Sequence, residues 1–182
     1  GPSEAASRLM RRLTSRDAQV ILAFAFGLLM LLRVLAFRAG WAWNAGDLWD
    51  HYEPLKRYAV ERLQSGGMPL WNPFMFSGAP FLGTSQPAVF SPAHLLFQTA
   101  WLSTAFAAVF LIQPFLAGLG AFLWASALGA RRSGALAAAA VYAGSGMIIL
   151  RIPHGHPVIQ GGYAWLPWLA LALSTRSGAL LG

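Results

Sequence analysis

Cysteine is absent from the sequence, so disulfides and cysteine-based metal sites are excluded. Charge is also scarce: charged residues make up 10% of the 182 residues, against about 25% in soluble domains. The hydrophobic residues, 57% of the total, fall into long runs, which is typical of a membrane protein. The net charge is +7, but many arginines flank apolar runs and none form a basic stripe among aromatics, so nucleic acid is not a predicted partner.

Four apolar runs predict an all-α polytopic membrane protein with about four transmembrane helices, at residues 19–37, 101–128, 133–150 and 158–173. The first run is longer than the roughly 7–15 residues of a signal peptide and ends at Phe37-Arg38, which favours a signal anchor. In the third run, small residues at four-residue spacing (Gly134 with Ala138, Ala140 with Gly144) would let another helix approach closely. The sequence starts without methionine and stops just after an apolar segment, so we expect a piece of a longer chain.

Arginines set the predicted orientation. Residues 1–18 form a basic tail with four arginines beside the first helix, and such residues mark the cytoplasmic side. The N-terminus is therefore predicted to be cytoplasmic. Residues 38–100 then form one large extracytoplasmic loop, and residues 151–157 form a short outer turn on the same side of a single membrane domain.

The outer loop contains too many aromatic residues to be disordered. A helix is predicted from Pro54 to Gln64, because Pro54 suits a first turn, Leu55, Ala59 and Leu63 lie along one apolar stripe, and Gly66-Gly67 stops it. It would lie along the membrane surface as an interfacial amphipathic helix. Turn-rich, aromatic segments follow. Their aromatic side chains suit either anchoring at the headgroup level or stacking on the apolar face of a sugar ring, and both interpretations remain open.

Two carboxylates, Asp47 and Asp50, follow the first predicted helix and are the candidate catalytic residues. On an α-helical turn, their three-residue spacing would place both on one face. A carboxylate in an aromatic, partly desolvated pocket is suited to act as a general base. Alternatively, Asp50 with Glu53 three residues later forms a capping box at a helix start.

The second outer segment contributes Arg151, His154 and His156. The two histidines could ligate a metal ion if carboxylates completed the site, although this motif is weak. Arg151 with a histidine could instead bind a phosphate at headgroup depth. Ordinary interfacial positions are the third interpretation of these histidines. The topology places these residues on the same side of the membrane as Asp47 and Asp50.

Taken together, several motifs resemble the first outer loop, the next outer turn and the following helix of bacterial YfhO-type membrane proteins, over residues 19–173. The motifs are Gly46-Asp47 with Tyr52 and Pro54, Gly67-Met68-Pro69-Leu70-Trp71-Asn72-Pro73, Gly78-Ala79-Pro80-Phe81, Gln86-Pro87-Ala88-Val89-Phe90-Ser91-Pro92, His154-Gly155-His156 and Ala164-Trp165-Leu166-Pro167-Trp168.

That family is similar to the GT-C class of glycosyltransferases, which transfer a sugar from a polyprenyl-phosphate donor to an acceptor outside the cytoplasm. The resemblance implies a bacterial cytoplasmic membrane location, a cell-envelope acceptor and a general-base role for Asp47. The family tends to carry an amide-type residue shortly after this Asp, where this chain departs from the pattern with Asp50-His51. The family is also much longer, and activity of this part alone stays open.

Candidate substrate-binding residues are six in number: Arg151, His154, His156, Trp71, Gln86 and Tyr52. No cofactor is firmly implied, and the participation of a divalent cation, Mg²⁺ or Mn²⁺, is left open. Two other function classes compete with the enzyme. One is a non-catalytic membrane scaffold or accessory subunit, in which the aspartates are helix caps. The other is a transporter, which usually needs more polar groups within its helices than this sequence offers.

Overall fold

The computed structural model describes Gly27 and residues Asp47–Leu180, with side chains as far as Thr175. The predicted cytoplasmic tail (1–18), the rest of the first predicted helix (19–37) and the start of the outer loop (38–46) lie outside the described residues.

The described part is mostly helical, which confirms the all-α class. Its one sheet is a two-stranded antiparallel hairpin, in which Trp71 lies opposite Pro80. The elements in chain order are a π-helical turn Leu48–Tyr52, α1 Glu53–Gln64, β1 Trp71–Asn72, β2 Ala79–Pro80, a 3₁₀ turn Leu82–Thr84, α2 His94–Thr99, α3 Leu102–Ala127, α4 Arg132–Ala143, α5 Gly146–Ile149 and α6 Pro157–Leu180.

Helix α1 matches the helix predicted in the outer loop, beginning one residue earlier. Pro54 lies in its first turn, where a missing N–H costs nothing. Leu55 and Ala59 are buried and pack with Phe81, the residue directly after β2. Gly66, at a φ of 79°, ends the helix in the left-handed conformation that glycine adopts without strain. The loop is thus folded over its described residues, as its aromatic content predicted.

Helix α3 is the centre of the described part and packs along both α4 and α6. Its first half meets the outer loop in a cluster that includes Leu48, Tyr52, Phe97 and Phe106. Further along, Gly120 lets α6 approach closely, because a Cβ there would lie 2.7 Å from Nε1 of Trp168. Val158 of α6 and Ile152 of the turn before it also pack against that cluster, which joins both segments to the outer loop.

The third predicted membrane helix, residues 133–150, is wrong as a single span. Helix α4 ends at Ala143, and a break at Gly144 and Ser145 separates it from the four-residue α5. Twelve residues rise only about 18 Å, well short of a hydrocarbon core of about 30 Å. The close-packing face also differs from the predicted one: Ala135, Ala139 and Ala143 are buried. Small residues occupy every face of α4, so spacing alone did not fix the register.

Helices occupy the second and fourth predicted spans. Within the described residues, one helix, Leu102–Ala127, is long and apolar enough to cross a membrane, with a mean hydropathy of 2.0 in its most apolar window. Core helices of soluble proteins share this length and composition. Helix α6 runs past the predicted residue 173 to Leu180 but is less apolar. The described residues therefore establish a helical protein with one candidate span, and this part of the chain does not fit the predicted arrangement of four spans.

Candidate functional site

Asp47 lies at the start of the π-helical turn that leads into α1. Leu48 and Tyr52 of this turn are buried against Phe97 and Phe106, so the turn is anchored while Asp47 remains at the surface. The turn is more widely wound than an α-helix, and such turns occur often at functional sites. The side chain of Asp47 is 64% exposed, so it does not lie in the desolvated aromatic pocket that the sequence predicted.

His156 contacts Asp47 across 109 residues of sequence. Its Nε2–H donates to Oδ2 of Asp47 at 2.6 Å, and its side chain is 19% exposed. Its Nδ1 is buried, with no hydrogen-bond partner among the described residues. The carboxylate therefore has one oxygen held by an imidazole from the second outer segment. The structure thus brings together two candidates that the sequence placed on one side of the membrane.

Tyr52 and Arg151 complete this cluster. The ring of Tyr52 meets that of His156 edge-on, with centroids 6.0 Å apart. Burial raises the pKa of the Tyr52 hydroxyl, Asp47 raises it further, and Arg151 lowers it, so both charges act on this hydroxyl. The Nε–H of Arg151 is buried without a partner among the described residues. We call Asp47, Tyr52, Arg151 and His156 the acidic cluster, after the carboxylate of Asp47.

His154 lies beside the acidic cluster rather than in it. Its ring centroid is 6.1 Å from that of His156, and its Nδ1–H donates to the Leu150 carbonyl at 2.5 Å. Its side chain is exposed. No group of three or more histidine, aspartate or glutamate side chains suited to a metal ion occurs among residues 47–175.

Asp50 is exposed and belongs to neither of its two predicted arrangements. It lies inside the π-helical turn, and α1 begins directly after Tyr52 without a side-chain cap, so the Asp50–Glu53 capping box does not form. A π-helix has more residues per turn than an α-helix, so two residues three apart share one face less closely. Asp50 thus makes no described contact to the acidic cluster.

Trp71 and Gln86 lie in other parts of the loop. Trp71 is in β1, its carbonyl accepts the Tyr58 hydroxyl at 2.5 Å, and its ring covers Gly78 in the hairpin. Gln86 is exposed in the turn after the 3₁₀ segment. Among the described residues, neither side chain contacts the acidic cluster. The structure therefore does not place Trp71 and Gln86 with the other candidate substrate-binding residues.

A buried polar pair, Lys56 and His94, was missed by the sequence reasoning. The Lys56 ammonium donates to the Pro87 carbonyl at 2.5 Å and to Nδ1 of His94 at 3.1 Å. Burial lowers the pKa of Lys56 to about 8, and burial with the nearby ammonium lowers that of His94 to about 4. Its position in the sequence could have predicted the burial of Lys56. Lys56 is four residues after Tyr52 and three before Ala59, so it lies on the buried stripe of α1.

Comparisons of the chain with protein-family models, curated proteins and solved structures found no significant match.

Proposed function

We propose that this chain is the amino-terminal part of a GT-C-like membrane glycosyltransferase of the YfhO type. It would transfer a sugar from a polyprenyl-phosphate donor to a cell-envelope acceptor outside the bacterial cytoplasmic membrane. The observation that carries the proposal is the hydrogen bond between Asp47 and His156, because it joins the first outer loop to the second at a solvent-accessible carboxylate. The family motifs and the apolar helix α3 support the membrane setting.

In the proposed reaction, Asp47 takes the proton of the acceptor hydroxyl. The acceptor oxygen then forms a bond to the anomeric carbon, and the bond from that carbon to the donor phosphate breaks, releasing polyprenyl phosphate. His156 positions the carboxylate by holding Oδ2, which leaves Oδ1 for the acceptor. The Asp47 side chain is 64% exposed, which fits these separate roles of its two oxygens, since an acceptor must reach Oδ1.

Arg151 is the candidate group for the donor phosphate. Its buried Nε–H lacks a partner among the described residues, and phosphate oxygens are strong acceptors for guanidinium donors. The Tyr52 pKa reflects both Arg151 and Asp47, so a phosphate at Arg151 would lie close to the proposed base. The donor's leaving oxygen and the acceptor hydroxyl would then meet at one cluster.

The test is sugar transfer in membranes that contain the protein from its complete reading frame, with a labelled polyprenyl-phosphate sugar as donor. Transfer by the wild type that Asp47→Asn lowers by about 100-fold or more supports general-base catalysis. The matched control is Glu61→Gln, an exposed carboxylate on α1. A wild type that transfers nothing from any donor tested would favour the scaffold or accessory subunit instead.

A further inference from the structure

A cavity of about 200 Å³ lies next to the acidic cluster, between α1, the segment around α2, α3 and α6. Pro157, directly after His156, is part of its wall. The wall is mostly apolar, with Phe97, Val109 and Trp165 among its side chains, and its two largest polar groups are Lys56 and Gln113. This volume equals that of roughly seven liquid waters, so it fits one ring-sized group rather than an extended ligand.

Gln113 is part of the cavity wall and has an unused hydrogen-bond acceptor. The residue is 8% exposed, and its Oε1 is buried with no hydrogen-bond partner among the described residues. Its amide packs directly on Gly161 of α6, since a Cβ there would lie 2.8 Å from Nε2. A buried carbonyl oxygen without a donor destabilises the fold, so a ligand hydroxyl that donates to it would be favoured.

Lys56 gives the cavity a donor. Two of its three N–H groups are used by Pro87 and His94, and its Nζ lies 4.7 Å from the ring centroid of Phe97. Because Nδ1 of His94 accepts from the ammonium, the ring stays neutral, and its Nε2 lies 3.0 Å from the side-chain Nε2 of Gln98. Among the described residues, one of the three N–H groups of Lys56 has no hydrogen-bond acceptor, and Lys56 is part of the cavity wall.

We propose that this cavity binds one glycosyl unit, a single pyranose ring. A pyranose has hydroxyls that donate to Gln113 and accept from Lys56, and an apolar face that suits the aromatic wall. The choice of a sugar as the ligand rests on the proposed function. Binding itself does not require transfer, so the two proposals are tested separately.

Gly162 allows the cavity to be filled without a steric clash. It is part of the wall, and a Cβ added there meets nothing within 4 Å, so the side chain of Gly162→Leu begins in open space. Gln113→Leu removes the unpaired oxygen and keeps a similar size. The matched control is Gly134→Leu on α4, where the nearest atom to an added Cβ is 3.9 Å away and the cavity is not involved.

The experiment is saturation-transfer difference NMR with methyl glucoside, methyl N-acetylglucosaminide and methyl glucuronide, using protein in sugar-free lipid nanodiscs. The wild type and Gly134→Leu should bind at least one glycoside, while Gly162→Leu and Gln113→Leu should lose the signal by about tenfold or more. Gln113→Leu should melt at or above the wild-type temperature, so it decides the question if Gly162→Leu fails to fold.

Two results would overturn the sugar site: no glycoside binds the wild type, or both cavity variants keep its signal. In the first case the cavity holds water only. Binding that persists while transfer is absent would count against the glycosyltransferase alone. Conversely, Asp47-dependent transfer that Gly162→Leu and Gln113→Leu leave unchanged would count against the sugar site alone.

Discussion

The imidazole of His156 lies 2.6 Å from the carboxylate of Asp47, although 109 residues separate them. Each is presented by the start of a helical element: Asp47 by the turn before α1 and His156 by the residue before α6. Their neighbours Leu48 and Val158 pack with the same apolar cluster on α3, which fixes the two starts relative to each other. The pair is therefore built into the packing of the loop on the helices.

His156 should act as a positioning residue for Asp47. His156→Gln keeps a side-chain amide that can donate a hydrogen bond, so we expect it to lower kcat less than Asp47→Asn does. In the double variant, His156→Gln should add almost nothing, because its partner is already lost. A double-mutant cycle on transfer rates measures this coupling, expected at about 1–3 kcal/mol. Additive effects would show that His156 does not act through Asp47.

Arg151 should act on donor binding. Arg151→Met removes the guanidinium, and loss of charge-assisted hydrogen bonds to a phosphate should raise the donor KM by about tenfold or more with a smaller change in kcat. Arg62→Met, an exposed arginine of α1, is the matched control. Transfer measured against donor concentration separates the two constants. An unchanged KM in Arg151→Met would remove this residue from the phosphate site.

Lys56 should make stability depend on pH. Folded Lys56 loses its proton near pH 8, whereas the unfolded chain keeps it to about pH 10.5. Between these values the unfolded state binds more protons, so the free energy of unfolding rises with pH, by about 3 kcal/mol at most over the full interval. Lys56→Met should lack this rise.

Chemical denaturation between about pH 7 and pH 9.5 measures the Lys56 effect before tyrosines titrate. Arg57→Met is the control, because Arg57 is exposed on the same helix and pairs with Glu53. Parallel pH profiles for the wild type and Lys56→Met would contradict the buried ammonium.

The hairpin tip should contact lipid. Phe74 and Phe76 are 83% and 89% exposed, and no Asp, Glu, Lys or Arg occurs between Arg62 and Arg131. An exposed aromatic surface without charge suits a membrane interface. Since the chain lacks cysteine, Phe76→Cys carries a single environment-sensitive probe. The emission of the probe should shift to the blue and be quenched by spin-labelled lipids. A probe at the exposed position of Gln64→Cys should show neither effect. Equal signals at both positions would exclude insertion of the hairpin tip.

The sequence predicted helix α1 and its glycine stop because an apolar stripe, an early proline and a terminal glycine all gave the same boundaries. It also predicted that Asp47 and His156 lie on one side of a membrane, because the predicted spans would alternate in direction. The helix prediction depends on local chemistry and is confirmed. The structure brings Asp47 and His156 together, while the membrane topology stays a prediction.

Other features depended on packing that no local pattern encodes. The buried register of α4 could not be predicted, because small residues occupy every face of this helix. Asp50 lies outside the acidic cluster because it belongs to the π-helical turn, and the extra residue of such a turn has no clear sequence signature. The partners of Lys56 could not be predicted from local sequence, because its acceptors come from Pro87 and His94, 31 and 38 residues away.

The most direct test of the central claim compares Asp47→Asn with Asp50→Asn in the sugar-transfer assay, at matched expression. The two carboxylates are three residues apart and both exposed, but the acidic cluster includes only Asp47. The account predicts a loss of about 100-fold or more for Asp47→Asn and a change within a few-fold for Asp50→Asn. Full activity in Asp47→Asn, or an equal loss in both variants, would contradict it.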